Sequence, residues 1–166
     1  MTPNPIVYIS VGSNLGNKLE NCRNGVEALI HSGSSRLLAQ SRIYRTEPVD
    51  FREQDWFVNY VIKIDTSLKP GALLRLLQQI QQDAGRIQDT VRFGPRKLDL
   101  DILLYDDLII NSPDLEIPHP RMHKRRFVLR PFCDIDSGVM HPVLKENMQS
   151  LLSKLKEKNQ KVVEFK

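Results

Sequence analysis

Four stretches of this chain have strand-like sequence, and the spacing between them limits how they can pair. PIVYISV (5–11), SRLLAQSRIYRT (35–46), WFVNYVIKIDT (56–66) and KLDLDILLY (97–105) read as strands. Helix-period segments separate the first from the second and the third from the fourth. In the earlier one, Leu19, Cys22, Val26, Leu29 and Ile30 form a stripe behind Asn17, and Glu20 completes a variant of the capping box. HSGSS then breaks the helix. In the later one, Pro70 suits a first turn, while Leu73, Leu74, Leu77, Ile80 and Ala84 supply the buried side. Gly85 suits a left-handed cap that ends it. The middle strands are joined only by the loop TEPVDFREQD (46–55), too short for a crossover helix. The order strand, helix, strand, strand, helix, strand predicts an α+β fold, a ferredoxin-like βαββαβ sandwich with extra C-terminal elements.

After the fourth strand, Asp106-Asp107 can turn the chain back into LIIN as a short hairpin. PDLEIPHPRMHKRR (113–126) is a proline-punctuated basic connection into a helix at 124–133. An amphipathic helix at about 146–157 uses Met148, Leu151, Leu152 and Leu155, and VVEF adds a final strand. At 166 residues, 40% hydrophobic and 27% charged, residues 1–166 are expected to form a single domain. There is no apolar run of bilayer-crossing length and no signal-peptide design at the start. Cys22 and Cys133 have no metal-ligand spacing, so reduced thiols and a cytoplasmic location are expected.

Asp99 and Asp101 share the solvent-side face of the fourth strand. Same-face neighbours in a strand lie roughly 6.5–7 Å apart, a spacing that lets two carboxylates hold or bridge Mg²⁺ ions. The alternative is a charged strand edge that resists aggregation. Basic residues flank the pair: Arg86, Arg92, Arg96 and Lys97 before it, Arg121, Lys124, Arg125, Arg126 and Arg130 after it. With a net charge of +4, this distribution fits a phosphate-bearing ligand or a solvated basic surface. Arginines on the loop 86–96 could close in a fork over a polyphosphate.

His119, held between Pro118 and Pro120, could donate to a phosphate or simply pack. His31, His123 and His141 read as surface residues. Phe57 and Asn59 share a strand face, where an aromatic ring and an amide could stack on and read a flat heterocycle. Phe127 could supply the opposite side, although ordinary burial statistics favour the core for both phenylalanines. GSNLG matches no phosphate-binding fingerprint and reads as a tight strand-to-helix turn.

Taken together, VGSNLG, YRTEPV, WFVNYV, RFGPRKLDLDILLY and IPHPRMHKRRFVLRP resemble the hydroxymethyldihydropterin pyrophosphokinase family of the folate pathway, over about Ile6 to Pro142. The resemblance implies pyrophosphoryl transfer from ATP to the 6-hydroxymethyl group of a reduced pterin, with AMP as the other product, on a ferredoxin-like core. It implies that Asp99 and Asp101 bind two Mg²⁺ ions and that Arg86, Arg92 and Arg96 act in catalysis. Gln78, Ile102, His119 and Arg125 would bind ATP. Thr46, Pro48, Val49, Phe57, Asn59 and Phe127 would bind the pterin. Three positions depart from the family's usual residues: Gln81 for Glu, Asp50 for Gly and Phe93 for Trp. The tail beyond about Lys145 lies outside the strong motifs.

On this reading the partners are small molecules, with neither nucleic acid nor membrane, and the chain is a monomer. Two rivals use the same residues differently. An RNA module would use the basic stretches, but the strands lack the paired surface aromatics of an RNP pattern. A nucleotide-sugar transferase could use a DxD pair with a metal, but the chain is small for a donor domain plus an acceptor site.

Overall fold

The computed structural model describes residues 2–49, 53–85, 96–156 and 160–165. In chain order these hold β1 (Ile6–Ser13), α1 (Lys18–His31), β2 (Ser35–Gln40), β3 (Tyr44–Thr46), β4 (Phe57–Thr66), α2 (Pro70–Asp83) and β5 (Asp99–Tyr105). The short strands β6 (Ile110–Asn111) and β7 (Glu116–Ile117) follow, then a 3-10 turn at Met122–Lys124. Helices α3 (Arg126–Asp136) and α4 (Met148–Ser153) and strand β8 (Val162–Glu164) complete the described chain. The fold is α+β, with an antiparallel sheet ordered β5-β1-β4-β3-β8 and β2 also lying along β4. Among the described residues, no helix is long and apolar enough to cross a membrane.

The helix ends follow from local chemistry. Asn17 Oδ1 accepts from the Glu20 N–H at 3.2 Å, and its Nδ2 donates to the Glu20 carboxylate at 3.0 Å. That reciprocal cap typically stabilises a helix start by about 1 kcal/mol. α2 starts at Pro70, where a missing N–H costs nothing, and ends before Gly85 at φ +94°.

Both faces of the sheet are covered. α1 and α2 bury Val7, Ile9, Val11, Tyr60, Ile62 and Ile64 against helix residues such as Cys22, Leu29, Leu73 and Leu77. On the other face, α3 and α4 bury Tyr8, Val61, Leu103 and Leu104 against Leu129, Phe132, Met148 and Leu151. Polar contacts fix α3 to the sheet: Tyr8 donates to Asp136, which also meets Lys63 at 2.8 Å, and Tyr44 donates to Asp134 at 2.6 Å. Cys22 and Cys133 belong to clusters on opposite faces, and both are free thiols.

Several expected features take a different form. The alternation through Leu98, Leu100, Ile102 and Leu104 does not keep one face. In the β1–β5 register, Ile9 faces Ile102 and Tyr8 faces Leu104, so Leu103 is an extra residue. This bulge inverts the phase, sending Leu103 and Leu104 to the α3–α4 side while Tyr105 returns to the α1–α2 side.

The strand at 35–46 is interrupted as well. Between the Gln40–Ile62 and Tyr44–Asn59 pairs, one strand spends an extra residue, and the break splits it into β2 and β3. At the break, the Val61 N–H donates to Ser41 Oγ at 2.9 Å, satisfying an amide that the ladder leaves unpaired.

LIIN does not fold back on β5. Ile110 and Asn111 pair with Ile117 and Glu116, because Asp106, at φ 47°, turns the chain off the end of the sheet. The connection at 113–126 accordingly contains β7 and the 3-10 turn, and α3 runs over 126–136. α4 is confined to Met148–Ser153, and β8 forms on β3 as the VVEF pattern predicts.

Candidate active site

The sheet face under α3 is not covered along its whole length. Beyond the α3–α4 cluster, the ends of β1, β4 and β5 form one wall of a cavity of about 320 Å³. Side chains of Ser10, Asn59, Asp99 and Asp101 line this wall, together with Gly12. In the register, Ser10 stands beside Asp101, and Gly12 lies between Asp99 and Asn59. The small residues of β1 leave the volume above the sheet empty. Larger residues at those positions would fill it.

The amide on this wall is held by its neighbours. Asn59 is buried, and its Nδ2 donates to Thr46 Oγ1 at 2.6 Å. Its carbonyl lies across Gly12, where a Cβ would come within 2.4 Å of Oδ1. Asp101 is exposed to the cavity, and Asp99 is half-buried. The field of Asp99 reaches through the sheet: burial, reinforced by this carboxylate, pushes the Cys22 thiol up to about 12.

β5 lies at the sheet edge, and its outer side is occupied at two points. The Leu100 N–H, between the two aspartates, donates to Gln81 Oε1 at 2.6 Å. The Leu103 carbonyl accepts from the His119 N–H at 2.9 Å. The first bond anchors the aspartates to α2, and the second brings His119 to the cavity.

His119 Nδ1 accepts from the Arg121 N–H at 3.1 Å, which leaves Nε2 as the protonated nitrogen of a neutral ring. Burial lowers its pKa from the ordinary value; Arg125 and Arg121 lower it further, and Asp101 opposes them. Arg121 and Arg125 also line the cavity, and the Arg125 guanidinium lies 5.4 Å from the centre of the Phe127 ring.

The opposite wall is the segment 46–49, with Pro48 and Val49 on the cavity. Phe57 and Phe127 are both half-buried and both line it, so their rings are not simply core, although Phe127 also packs against the α3–α4 cluster. The cavity therefore combines aromatic faces and an oriented amide at one side with carboxylates, an imidazole and guanidinium groups at the other. Such a site can stack a flat heterocycle while binding phosphates and a cation.

Other expected residues lie elsewhere. Arg86 and Arg92, with Phe93 and Asp50, fall outside the described residues. Arg96 is on the cavity. Gln78 is exposed on α2 and does not line it. The Ile102 side chain is buried in the α1–α2 cluster, on the far face of the sheet, so only its backbone is near the aspartates. The expectation for two surface histidines needs correction. His141 is buried, its Nδ1 accepting from the Val143 and Leu144 N–H groups at 3.2 and 3.1 Å. His123 is half-buried, its ring 6.1 Å away and edge-on. A polar nitrogen satisfied by a tight turn leaves no trace in sequence periodicity.

Asn14, in the stretch read as a simple turn, has a larger part. Its Oδ1 accepts from the Arg96 N–H at 2.7 Å, and its own N–H donates to the Arg96 carbonyl at 2.9 Å. Its Nδ2 donates to Gln54 at 2.7 Å and to the Asp55 carbonyl at 3.2 Å. One buried side chain thus fixes both the end of the basic segment and the end of the segment that follows 46–49. Gln160 is also on the cavity. It carries no motif that could have been read.

Among the described residues, no group of three or more His, Cys, Asp or Glu is arranged to hold a metal. The Asp99/Asp101 pair still fits a hard cation such as Mg²⁺, which is commonly bound through one or two carboxylates plus water and phosphate oxygens.

Comparison with known proteins points the same way. The sequence model of one family, described as 7,8-dihydro-6-hydroxymethylpterin-pyrophosphokinase (HPPK), matches residues 8–137. The folic acid synthesis protein FOL1 of Dictyostelium discoideum is 45% identical over 141 residues, 85% of this chain and 21% of that protein. The 2-amino-4-hydroxy-6-hydroxymethyldihydropteridine pyrophosphokinase of Bacillus subtilis is 43% identical over 132 residues, 80% of this chain and 78% of that protein. The chain spans about a fifth of the length of the folic acid synthesis proteins it matches. A crystal structure of wild-type Plasmodium falciparum HPPK-DHPS has a similar fold, with a TM-score of 0.72 at 14% identity over 91% of this chain and 44% of that one.

Proposed function

Since the chain belongs to the 7,8-dihydro-6-hydroxymethylpterin-pyrophosphokinase family, we propose that it transfers pyrophosphate from ATP to 6-hydroxymethyl-7,8-dihydropterin in folate biosynthesis. The observation that carries this reading is the convergence on one cavity of two aspartates, a basic stretch and an aromatic-and-amide slot. The family match supports the reaction, and the two sides of the cavity suit the two halves of the substrate pair.

In this reading, Asn59 binds the pterin's polar edge, Phe57 and Phe127 stack on its faces, and Thr46, Pro48 and Val49 close the side. His119, Arg121 and Arg125 face the phosphates, joined by Arg96 and by Arg86 and Arg92 from the preceding segment. Gln78 and Ile102 are assigned to the nucleotide side, Ile102 through its backbone. Asp99 and Asp101 would hold Mg²⁺, with two ions expected. When bound, such ions neutralise phosphate charge and align the reacting oxygens.

The hydroxymethyl oxygen forms a bond to the β-phosphorus as the bond from that phosphorus to the α-phosphate's bridging oxygen breaks. AMP leaves with that oxygen, and the hydroxyl proton passes to solvent. The protein's own share is positioning and charge compensation. No side chain on the cavity is required as general base. A neutral His119 has an N–H to donate to a phosphate oxygen without needing a full positive charge.

The sheet order β5-β1-β4-β3 supports a ferredoxin-like description, and the two apolar clusters share one sheet, which supports a single domain. On this reading the chain acts as a monomer on small molecules. Two free thiols suit a reducing compartment such as the cytoplasm.

³¹P NMR of the protein with ATP, Mg²⁺ and the reduced hydroxymethylpterin tests the reaction. AMP and a pterin diphosphate are expected. ADP with a pterin monophosphate would replace this reading with an ordinary kinase.

A further inference from the structure

We infer that Gln160 is a positioning residue for the pterin slot, supplied by a segment beyond the residues that the family matches. The inference rests on the pterin-binding reading above. Gln160 is 5% exposed and lines the cavity. Its Nε2 donates to the Glu47 carbonyl at 2.6 Å, and its Oε1 accepts from the Phe127 N–H at 3.2 Å. Glu47 stands between Thr46 and Pro48 in one side of the slot, and Phe127 is the aromatic group on another. A single amide therefore links two sides of the slot.

The chemistry selects this residue type. The Phe127 N–H is one of the first-turn donors of α3, which have no intrahelical acceptor, and Arg125 supplies no side-chain cap. Glu47 presents a carbonyl, which needs a donor. Only a side chain carrying both a donor and an acceptor on one rigid plane can serve both. Ionised Glu cannot donate, Lys cannot accept, and Asn is one methylene shorter. Surrounding bonds keep Gln160 in place. The Glu47 N–H donates to the Lys161 carbonyl at 2.9 Å, the Lys161 N–H donates to the Glu47 carboxylate at 3.3 Å, and Val162 pairs with Thr46.

The consequence is selective. Loss of the amide frees the 46–49 segment from α3 and loosens the grip on a flat heterocycle, while the aspartates and His119, held by other contacts, stay in place. The test uses the full chain with Gln160→Met, which keeps length and packing, and Gln160→Glu, which keeps only the bond to Phe127. Calorimetric titration with 6-hydroxymethyl-7,8-dihydropterin and steady-state kinetics give the readouts. Loss of buried hydrogen bonds of this kind should weaken pterin binding and raise its KM by about tenfold in the Met variant. The KM for ATP should stay within about twofold, since no contact to the phosphate side is removed.

Unchanged pterin affinity in both variants, or an equal rise in both KM values, overturns the inference while leaving the reaction standing. A wild-type protein that does not bind the pterin overturns the substrate reading and this inference together. If the Met variant does not fold, the Glu variant carries the same comparison, because it leaves the α3 start satisfied.

Discussion

Gly12 and Asn59 face each other across the β1–β4 pair, and the Asn59 carbonyl occupies the space that any side chain at position 12 would take. At 2.4 Å, a methyl group on Gly12 cannot coexist with the amide where it stands. Gly12→Ala must therefore push Asn59 away from Thr46. Overpacking of this kind typically costs about 1–3 kcal/mol. Pterin affinity should fall by roughly ten- to a hundredfold on that scale, with ATP affinity nearly unchanged. Paired calorimetric titrations measure both.

Asp101 is exposed on the cavity wall, so Asp101→Ala should leave the fold intact. Its effect should be chemical. Charge stabilisation by a metal held there is worth several kcal/mol, so kcat should drop by at least about a hundredfold. Adding EDTA to the wild-type enzyme should produce a loss of similar size, reversed by Mg²⁺. Near-normal turnover by the Ala variant would remove Asp101 from the metal assignment.

Gln81 predicts the reverse pattern. Its carbonyl accepts from the Leu100 N–H inside a buried environment, and it does not touch the cavity. Gln81→Ala leaves that amide unpaired, at a cost of about 1–3 kcal/mol in urea unfolding. Activity per folded molecule should fall less than in Asp101→Ala. Equal stability of the variant and the wild type would show that Leu100 finds another acceptor.

Acid should weaken the fold through its histidines. Burial lowers the pKa of His119, His123 and His141 below the ordinary value of 6.5. Arg125 and Arg121 add to this at His119, where Asp101 opposes it; Lys124 adds at His123, and His123 adds at His141. Below that value the unfolded chain takes up protons that the folded chain does not, so stability is complete above it and falls as pH drops. The lowered carboxyls of Asp65, Asp136 and Glu146 start from 3.8, 3.8 and 4.5 and so act at more acid pH. Urea midpoints should decline from about pH 7.5 to about pH 5.5. His141→Asn, which retains an acceptor for the turn, should flatten that decline.

Periodicity and spacing disclosed the skeleton of this molecule. Alternation revealed β1, β4 and the aspartate end of β5, and Asn17 with Glu20 marked where α1 begins. The bulge at Leu103 was hidden because Leu103 and Leu104 are apolar on either face, so the pattern reads equally well with or without an extra residue. The break at Ser41 was hidden for a related reason: a serine is compatible with an exposed strand position, and only the Val61 amide shows why it is there. Charge and aromatic spacing made Asp99, Asp101, His119, Phe57 and Asn59 candidates, and all five line one cavity. Gln160 acts across 113 residues of sequence through its amide alone, and such a pairing has no local signature.

The extra residue at Leu103 also has a bearing on how this chain can diverge. It places a phase break between the stretch of β5 that carries the aspartates and the stretch that packs under α3 and α4. Changes that remodel the α3–α4 layer can therefore accumulate without altering the spacing of Asp99 and Asp101, which is set by their pairing with Gly12 and Ser10. The strand behaves as two separately tunable modules joined by a single peptide unit, and mutational tolerance mapped along it should change abruptly at that point.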